Sequence, residues 1–310
     1  MDDFVIFAGT ANAELAACVA RHLGVSLGAC MVKRFPDGET LVRLDINVRG
    51  REVFIIQPTQ PPVNDHLVEL MAFADGCRRA SARSITAVVP YFGYARSDKR
   101  DGQRVPIMAT MVAELMQAVG IAHVVTVDMH TPQLEGFFHI PVDSLTAVPV
   151  LADAVRARLA KGTVVVSPDS GRVRMATQFA HQLRTSVVVL HKRRESGNET
   201  IVTHLVGDVR GRACLIIDDM ISTGGTIAES IDALLRAGAR PEFTIAATHG
   251  LLLDGATETL NHESVREVII TDTVAAKDNA WPKLRVVSVA PLIAGAIRRF
   301  LTDGSLGDLC

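Results

Sequence analysis

Short apolar runs alternate with longer amphipathic stretches along this whole chain, and that rhythm restricts its fold more than any other feature. FVIFAG from Phe4 precedes AELAACVARHLG, EVFIIQ from Glu52 precedes NDHLVELMAFADGCRRA, and SITAVVPYF from Ser84 precedes IMATMVAELMQAVG. HVVTVDMH from His123 follows, and the same pattern resumes beyond residue 150. Runs that are apolar on both faces and separated by helices predict a parallel sheet covered on both sides. The expected class is α/β. With 310 residues, 48% of them hydrophobic, the chain can bury one large core or two smaller ones.

A weak internal repeat favours two. VRGREVFIIQ begins at Val48 and VRGRACLIID at Val209, 161 residues further on, and each enters an apolar strand. FAGTANAELAACVARHLG from Phe7 likewise faces VSPDSGRVRMATQFAHQLR from Val166, each reading as strand, small-residue turn and helix. Two similar halves are expected, residues 1–145 and 146–310. The repeat also exposes a divergence. Gln57 and Pro58 stand where the second half has Asp218 and Asp219, so one half is expected to bind a ligand that the other cannot.

Charge and cysteine content narrow the function. Lys and Arg total 32 against 34 Asp and Glu, a net charge of −2 that fits neither a nucleic-acid coat nor a polybasic membrane binder. Near the end of the chain the longest uncharged run, Val286–Ile297, has 12 residues and contains Pro291, whereas a bilayer span needs roughly 20. MDDFVIFAG lacks the basic start of a secretion signal, so a cytoplasmic location is expected. The five cysteines form no CxxC pair and predict neither a disulfide framework nor a zinc knuckle.

The most informative segment is LIIDDMISTGGTIAESI, residues Leu215–Ile231. A buried strand leads to two aspartates, a turn of small and hydroxyl residues, and a helix. Gly224 and Gly225 let backbone approach an anion, Ser222, Thr223 and Thr226 offer hydroxyls, and the helix start adds oriented N–H groups. This pattern predicts a monophosphate cup. Asp218 and Asp219, at the carboxyl end of a strand, suit the vicinal hydroxyls of a sugar.

Strand, Asp-Asp, three residues and Thr-Gly-Gly-Thr together resemble the phosphoribosyl-diphosphate loop of type I phosphoribosyltransferase folds. Further stretches narrow the likeness: FPDGE at Phe35–Glu39, PYFGYARSD at Pro90–Asp98, DMHTPQLEGFF at Asp128–Phe138, VVSPDSG at Val165–Gly171, HKRR at His191–Arg194, and ITDTV with VVSVAPLIAGAIRR near the end. In this order, from about residue 4 to about residue 300, they resemble the ribose-phosphate diphosphokinase family. The resemblance implies two phosphoribosyltransferase-like domains. It also implies transfer of the diphosphoryl group of ATP to the 1-hydroxyl of ribose 5-phosphate, with Mg²⁺ as cofactor.

Residue roles follow from the same resemblance. His130 and Asp169 are implied to help hold Mg²⁺, although a histidine after a strand would otherwise read as an ordinary turn residue. FPDGE reads by itself as a surface turn. In the family, Phe35, Asp37, Gly38 and Glu39 serve ATP, with the site shared between neighbouring subunits, so a homo-oligomer, hexameric or dimer-based, is expected. Arg96 and Ser97 match a further ATP-binding position, where the family usually has Gln in place of Ser97. HKRR alone reads as a solvated basic run. The resemblance makes Lys192 the catalytic lysine and Arg194 a contact to the ribose phosphate and the transferring group. Ser222 replaces an Asp common in the family. Two rivals stand beside this reading: a phosphoribosyltransferase that consumes phosphoribosyl diphosphate, and a non-catalytic subunit resembling the synthase.

Overall fold

The computed structural model describes residues 3–100, 102, 104–194, 200–276 and 281–310, with 192–194 and 200–203 described by backbone alone. Up to residue 146 the chain runs β1 (Phe4–Ala8), α1 (Ala13–Leu23), β2 (Cys30–Arg34), β3 (Thr40–Leu44), β4 (Glu52–Ile56), α2 (Val63–Arg79), β5 (Ser84–Val89), α3 (Met108–Ala118), β6 (His123–Val127) and β7 (Val142–Leu145). It continues through α4 (Val148–Arg156), β8 (Val164–Ser167), α5 (Val173–Leu183), β9 (Val187–Arg194), β10 (Thr200–Val206), β11 (Cys214–Ile221) and α6 (Gly225–Arg236). The last elements are β12 (Phe243–Gly250), α7 (Ala256–Leu260), β13 (Val265–Thr271), β14 (Leu284–Val287) and α8 (Ala290–Phe300).

These elements form two compact units: Met1–Thr146 with Thr273–Ala275 and Ser288–Cys310, and Ala147–Asp272 with Ala276–Val287. The first contains the parallel sheet β1-β4-β5-β6-β7. The second contains β8-β11-β12-β13-β14 in the same order, also parallel. Strand by strand, the repeat seen in VRGR is the repeat of a whole sheet. α1 and α5 are both 11 residues, and each follows a 3₁₀ turn, Thr10–Asn12 or Ser170–Arg172.

The halves differ at the same point in each. After α1 the chain makes a separate antiparallel hairpin, β2-β3, whose tip carries Phe35–Glu39. After α5 it instead extends the main sheet with β9, parallel to β8, and then β10, antiparallel to β9, and this second hairpin carries His191–Arg194. One duplicated frame thus presents two different hairpins.

The strands of the first sheet all precede residue 146 and those of the second all follow it, while the helices cross that point. Ser288–Cys310 belongs to the first unit because α8 lays Ile293, Ala294 and Ile297, all buried, along α1. α4 packs on α5 in the second unit in the same way. PVLADAVR of α4 and PLIAGAIR of α8 share Pro, Ala and Arg at corresponding positions. Arg156 Nη1 donates to Gln182 O at 2.8 Å near the end of α5, and Arg298 Nη2 donates to His22 O at 3.0 Å near the end of α1. The two helices are therefore equivalents, and each half's last strand is followed by the helix that covers the other half's sheet.

Cores form on the sheet faces. Phe7, Phe73, Met116 and Leu134 are fully buried in the first unit, and Phe179, Phe243 and Ile216 in the second. Among the described residues no helix is long and apolar enough to cross a membrane.

Candidate active site

In the second unit β11 runs through the acidic pair, so consecutive side chains leave the strand in opposite directions yet both end buried, Asp218 at 8% exposure and Asp219 at 2%. Arg172, the last residue of the 3₁₀ turn before α5, makes this possible. Its Nε lies 3.4 Å from Asp218 Oδ1 and 3.2 Å from Asp219 Oδ1. Asp219 N–H also donates to Asp218 Oδ1 at 2.8 Å. Burial, followed by the repulsion of Asp219, raises the Asp218 carboxyl well above its ordinary range; Arg172 opposes that shift and Asp169 adds to it.

Asp169 is placed by its own turn. Its Oδ1 accepts Gly171 N–H at 2.8 Å and Arg172 N–H at 3.1 Å, and its carbonyl accepts Ser167 Oγ at 2.7 Å. Asp169, Arg172, Asp218 and Asp219 thus form one electrostatic cluster at the carboxyl ends of β8 and β11. Arg172 had no expected role in the sequence. It follows VVSPDSG by one position, and only the fold brings it to β11.

Beyond β11, residues Ser222–Gly224 turn the chain into α6. Gly224 has φ +80°, and a Cβ there would meet Leu260 Cγ at 2.8 Å, so both backbone and space require glycine. A Cβ on Gly225 would find its nearest neighbour, Thr223 Oγ1, at 3.9 Å, so that glycine leaves open room above the turn. α6 begins at Gly225 with no side-chain cap, while Thr223 and Thr226 are exposed. An uncapped helix start with hydroxyls beside it is an arrangement that receives a phosphate.

In the first unit the turn before α1, the counterpart of the Ser170–Arg172 turn before α5, is filled by the protein itself. Thr10 N–H and Oγ1 donate to the carboxylate of buried Glu69 at 2.7 and 2.5 Å. Ala11 N–H donates to Gln57 Oε1 at 3.1 Å, and a Cβ on Gly9 would lie 2.1 Å from that oxygen. Gln57, the counterpart of Asp218, is thereby committed to the turn before α1, and Pro61-Pro62 stand where the second unit has Ser222-Thr223.

The remaining expected residues of the first unit fall in two places. Phe35, Asp37, Gly38 and Glu39 form the exposed tip of the β2-β3 hairpin, closed by Phe35 N–H to Glu39 O at 2.8 Å and Glu39 N–H to Asp37 Oδ1 at 3.1 Å. Phe35 is 36% exposed, with Lys33 Nζ 5.4 Å from its ring centre. Arg96 and Ser97 line a 750 Å³ cavity together with Tyr91, Tyr94, Asn64 and Lys99. Ser97 Oγ accepts Met108 N–H at 3.3 Å at the start of α3, so this hydroxyl already serves the fold. Asp98 Oδ2 accepts Thr131 Oγ1 at 2.9 Å, which draws the segment bearing Arg96 to the one bearing half-buried His130. Lys192 and Arg194 lie at the end of β9, their side chains outside the described residues.

Among the described residues no group of three or more His, Cys, Asp or Glu could enclose a metal ion. Magnesium characteristically keeps water and takes phosphate oxygens, so it needs only one or two protein ligands; the carboxylate of Asp169 fits that demand, while the imidazole of His130 is an unusual ligand for it.

Comparison with known proteins agrees with this geometry. Residues 4–120 match the N-terminal domain of ribose phosphate pyrophosphokinase, and residues 197–310 match the phosphoribosyl synthetase-associated domain. Ribose-phosphate pyrophosphokinases of Chromobacterium violaceum and Brucella melitensis are each 44% identical to this chain, over 99% and 98% of it and over 95% and 99% of their own lengths. The phosphoribosylpyrophosphate synthetase structure from Mycobacterium smegmatis superposes with a TM-score of 0.90 at 42% identity, covering 97% of this chain and 99% of that one. Such similarity spans both sheets, both divergent hairpins and the acidic cluster, and by it the chain belongs to the ribose-phosphate pyrophosphokinase family.

Proposed function

We propose that this protein transfers the β,γ-diphosphoryl group of ATP to ribose 5-phosphate, with the pentose phosphate held by the second unit. The 1-hydroxyl oxygen bonds to the β-phosphorus, the bond from that phosphorus to the α,β-bridging oxygen breaks, and AMP leaves with the electron pair as the hydroxyl gives up its proton. Phosphoribosyl diphosphate is the other product. The observation that carries the assignment is the buried Asp218–Asp219 pair on Arg172 beside the uncapped start of α6.

The 5-phosphate sits on Ser222–Thr226, through backbone N–H groups and hydroxyls, and the ribose hydroxyls donate to Asp218 and Asp219. Ser222 needs no carboxylate for this role, since an anion is held by donors. His130 and Asp169, through the family resemblance, are the residues that would hold Mg²⁺, which when bound would neutralise charge on the triphosphate of ATP. Arg96 contributes a guanidinium to ATP, and Phe35, Asp37 and Glu39 contribute from the hairpin of a neighbouring subunit, which makes the active form a homo-oligomer. Lys192 and Arg194, assigned through the HKRR resemblance, stabilise charge on the diphosphoryl group, so catalysis is mainly positioning and electrostatics. We place the reaction in the cytoplasm.

The test is product identity. Purified protein with ATP, Mg²⁺ and ribose 5-phosphate should yield AMP and phosphoribosyl diphosphate in equal amounts. ADP as the nucleotide product would contradict the reading, and so would turnover of phosphoribosyl diphosphate with a free base.

A further inference from the structure

A second cavity, of 590 Å³, lies in the second unit beside the amino-terminal ends of β8, β9 and β11, far along those strands from the acidic cluster at their carboxyl ends. Arg156, Arg184 and Arg212 line it with Thr185 and Ser186, and no carboxylate is among the lining residues, although Arg156 Nη2 pairs with Asp153 Oδ1 at 2.8 Å. The duplication supplies an internal control for each arginine. Arg156 holds Gln182 O as Arg298 holds His22 O in the first unit. Arg212 Nε donates to Gly162 O at 3.0 Å, just before β8, and its counterpart Arg51 donates to Phe4 O at 3.0 Å, at the start of β1. Two of the three guanidiniums therefore have an architectural duty that both halves require.

Arg184 has no such explanation. It caps α5 in the left-handed conformation, φ +54° and ψ +50°, with its N–H on Ala180 O and His181 O. The counterpart capping α1 is Gly24, at φ +73°, with its N–H on Ala20 O and Arg21 O. The caps are the same, and glycine is the residue that adopts this conformation without strain. An arginine here carries backbone strain that glycine would not, and strain retained at an exposed position directs attention to what the side chain does. Favourable charge at the carbonyl end of α5 does not require it, because α1 ends on glycine.

We propose that Arg184 completes an anion site with Arg156 and Arg212, and that its ligand is an oligophosphate chain. Guanidiniums match phosphate oxygens through paired N–H groups, and three of them around one cavity exceed what a single carboxylate would use. Ser186, within 3.3 Å of Arg212 Nη1, adds a hydroxyl at the same edge. The lining contains no aromatic ring, so the site recognises the phosphates rather than a stacked base. A free oligophosphate and the phosphate chain of a nucleotide share this chemistry.

The test reads the site by position. Intact protein is modified with phenylglyoxal, and modification of each arginine is followed by peptide mass mapping, with tripolyphosphate, with ATP, or with sodium chloride at matched ionic strength. Tripolyphosphate should slow modification of Arg184 and Arg212 at least about fivefold when present at several times its Kd, while sodium chloride leaves both nearly unchanged. Protection by ATP as well would assign the site to nucleotide phosphate chains, and protection by tripolyphosphate alone to the free anion. Arg184→Gly should keep or raise Tm and abolish protection of Arg212. Equal modification with and without tripolyphosphate, equal protection by sodium chloride, or a lowered Tm in Arg184→Gly would each overturn the proposal. None of these readouts depends on catalytic turnover.

Discussion

At the scale of single residues, the cost of the site is concentrated in Asp218. Its folded-state pKa lies above that of the unfolded chain, so the folded protein binds this proton more tightly. The group therefore favours folding at low pH, and that contribution is lost as pH rises from the ordinary carboxylate range through the raised value. Asp218→Asn should flatten the fall in stability as pH rises above the ordinary carboxylate range, measured by urea denaturation, while raising the KM for ribose 5-phosphate. An unchanged pH slope in the variant would show that Arg172 neutralises the pair fully. Lys192→Ala belongs at this scale too. A cation aimed at charge developing in the transition state is worth on the order of 10²–10³ in rate, so kcat and kcat/KM should fall together by about that factor. Steady-state kinetics that kept kcat within a few-fold of the parent would remove Lys192 from the catalytic role. Asp218 and Asp219 were legible in the sequence because a strand delivers them directly into the loop that follows. Arg172 was not, because its importance comes from a contact across two strands that no local pattern encodes.

At the scale of elements, the duplicated strand, turn and helix acquired opposite uses. In the second unit the uncapped start of α6 carries the hydroxyls of the proposed phosphate turn; in the first, Pro61 and Pro62 stand at the equivalent start of α2, and Glu69 and Gln57 fill the donors of the turn before α1. Glu69→Ala would remove the acceptor of two part-buried hydrogen bonds from Thr10, which costs roughly 1–3 kcal/mol in all. Chemical denaturation should register that loss with the KM for ribose 5-phosphate unchanged; a raised KM would mean that the first unit also contacts the sugar. The sequence comparison already marked Gln57 and Pro58 as a divergence from the acidic pair. It missed Glu69, which lies in the middle of α2, where a lone glutamate on an amphipathic helix reads as a solvent-facing position. The hairpins were similarly half legible. FPDGE announced a turn, and the structure makes it one, whereas nothing local distinguished β2-β3 as a separate sheet from β9-β10 as an extension of the main one.

At the scale of the whole molecule, the exchange of α4 and α8 ties the chain's end to its beginning. The VRGR repeat identified the duplication, yet the boundary drawn from it gave Ser288–Cys310 to the second half, because periodicity reveals that a helix is amphipathic and not which sheet it covers. Ile293 and Ile297 are fully buried against the first unit, and Phe300 packs its ring 6.2 Å from that of Phe54. Deleting residues 288–310 should therefore destabilise the first unit by several kcal/mol, each buried large side chain contributing about 1.5–3. Limited proteolysis should then cut near α1 first; preferential cutting of the second unit would contradict the exchange. The asymmetry between the two duplicated cups is the account's central claim, and the stoichiometry of ribose 5-phosphate binding tests it most directly. Calorimetric titration of the intact protein should give one site per chain, lost in Gly225→Val, where the added side chain fills the room above the turn, and retained in Thr10→Val. Two sites per chain, or a single site that survives Gly225→Val, would contradict it.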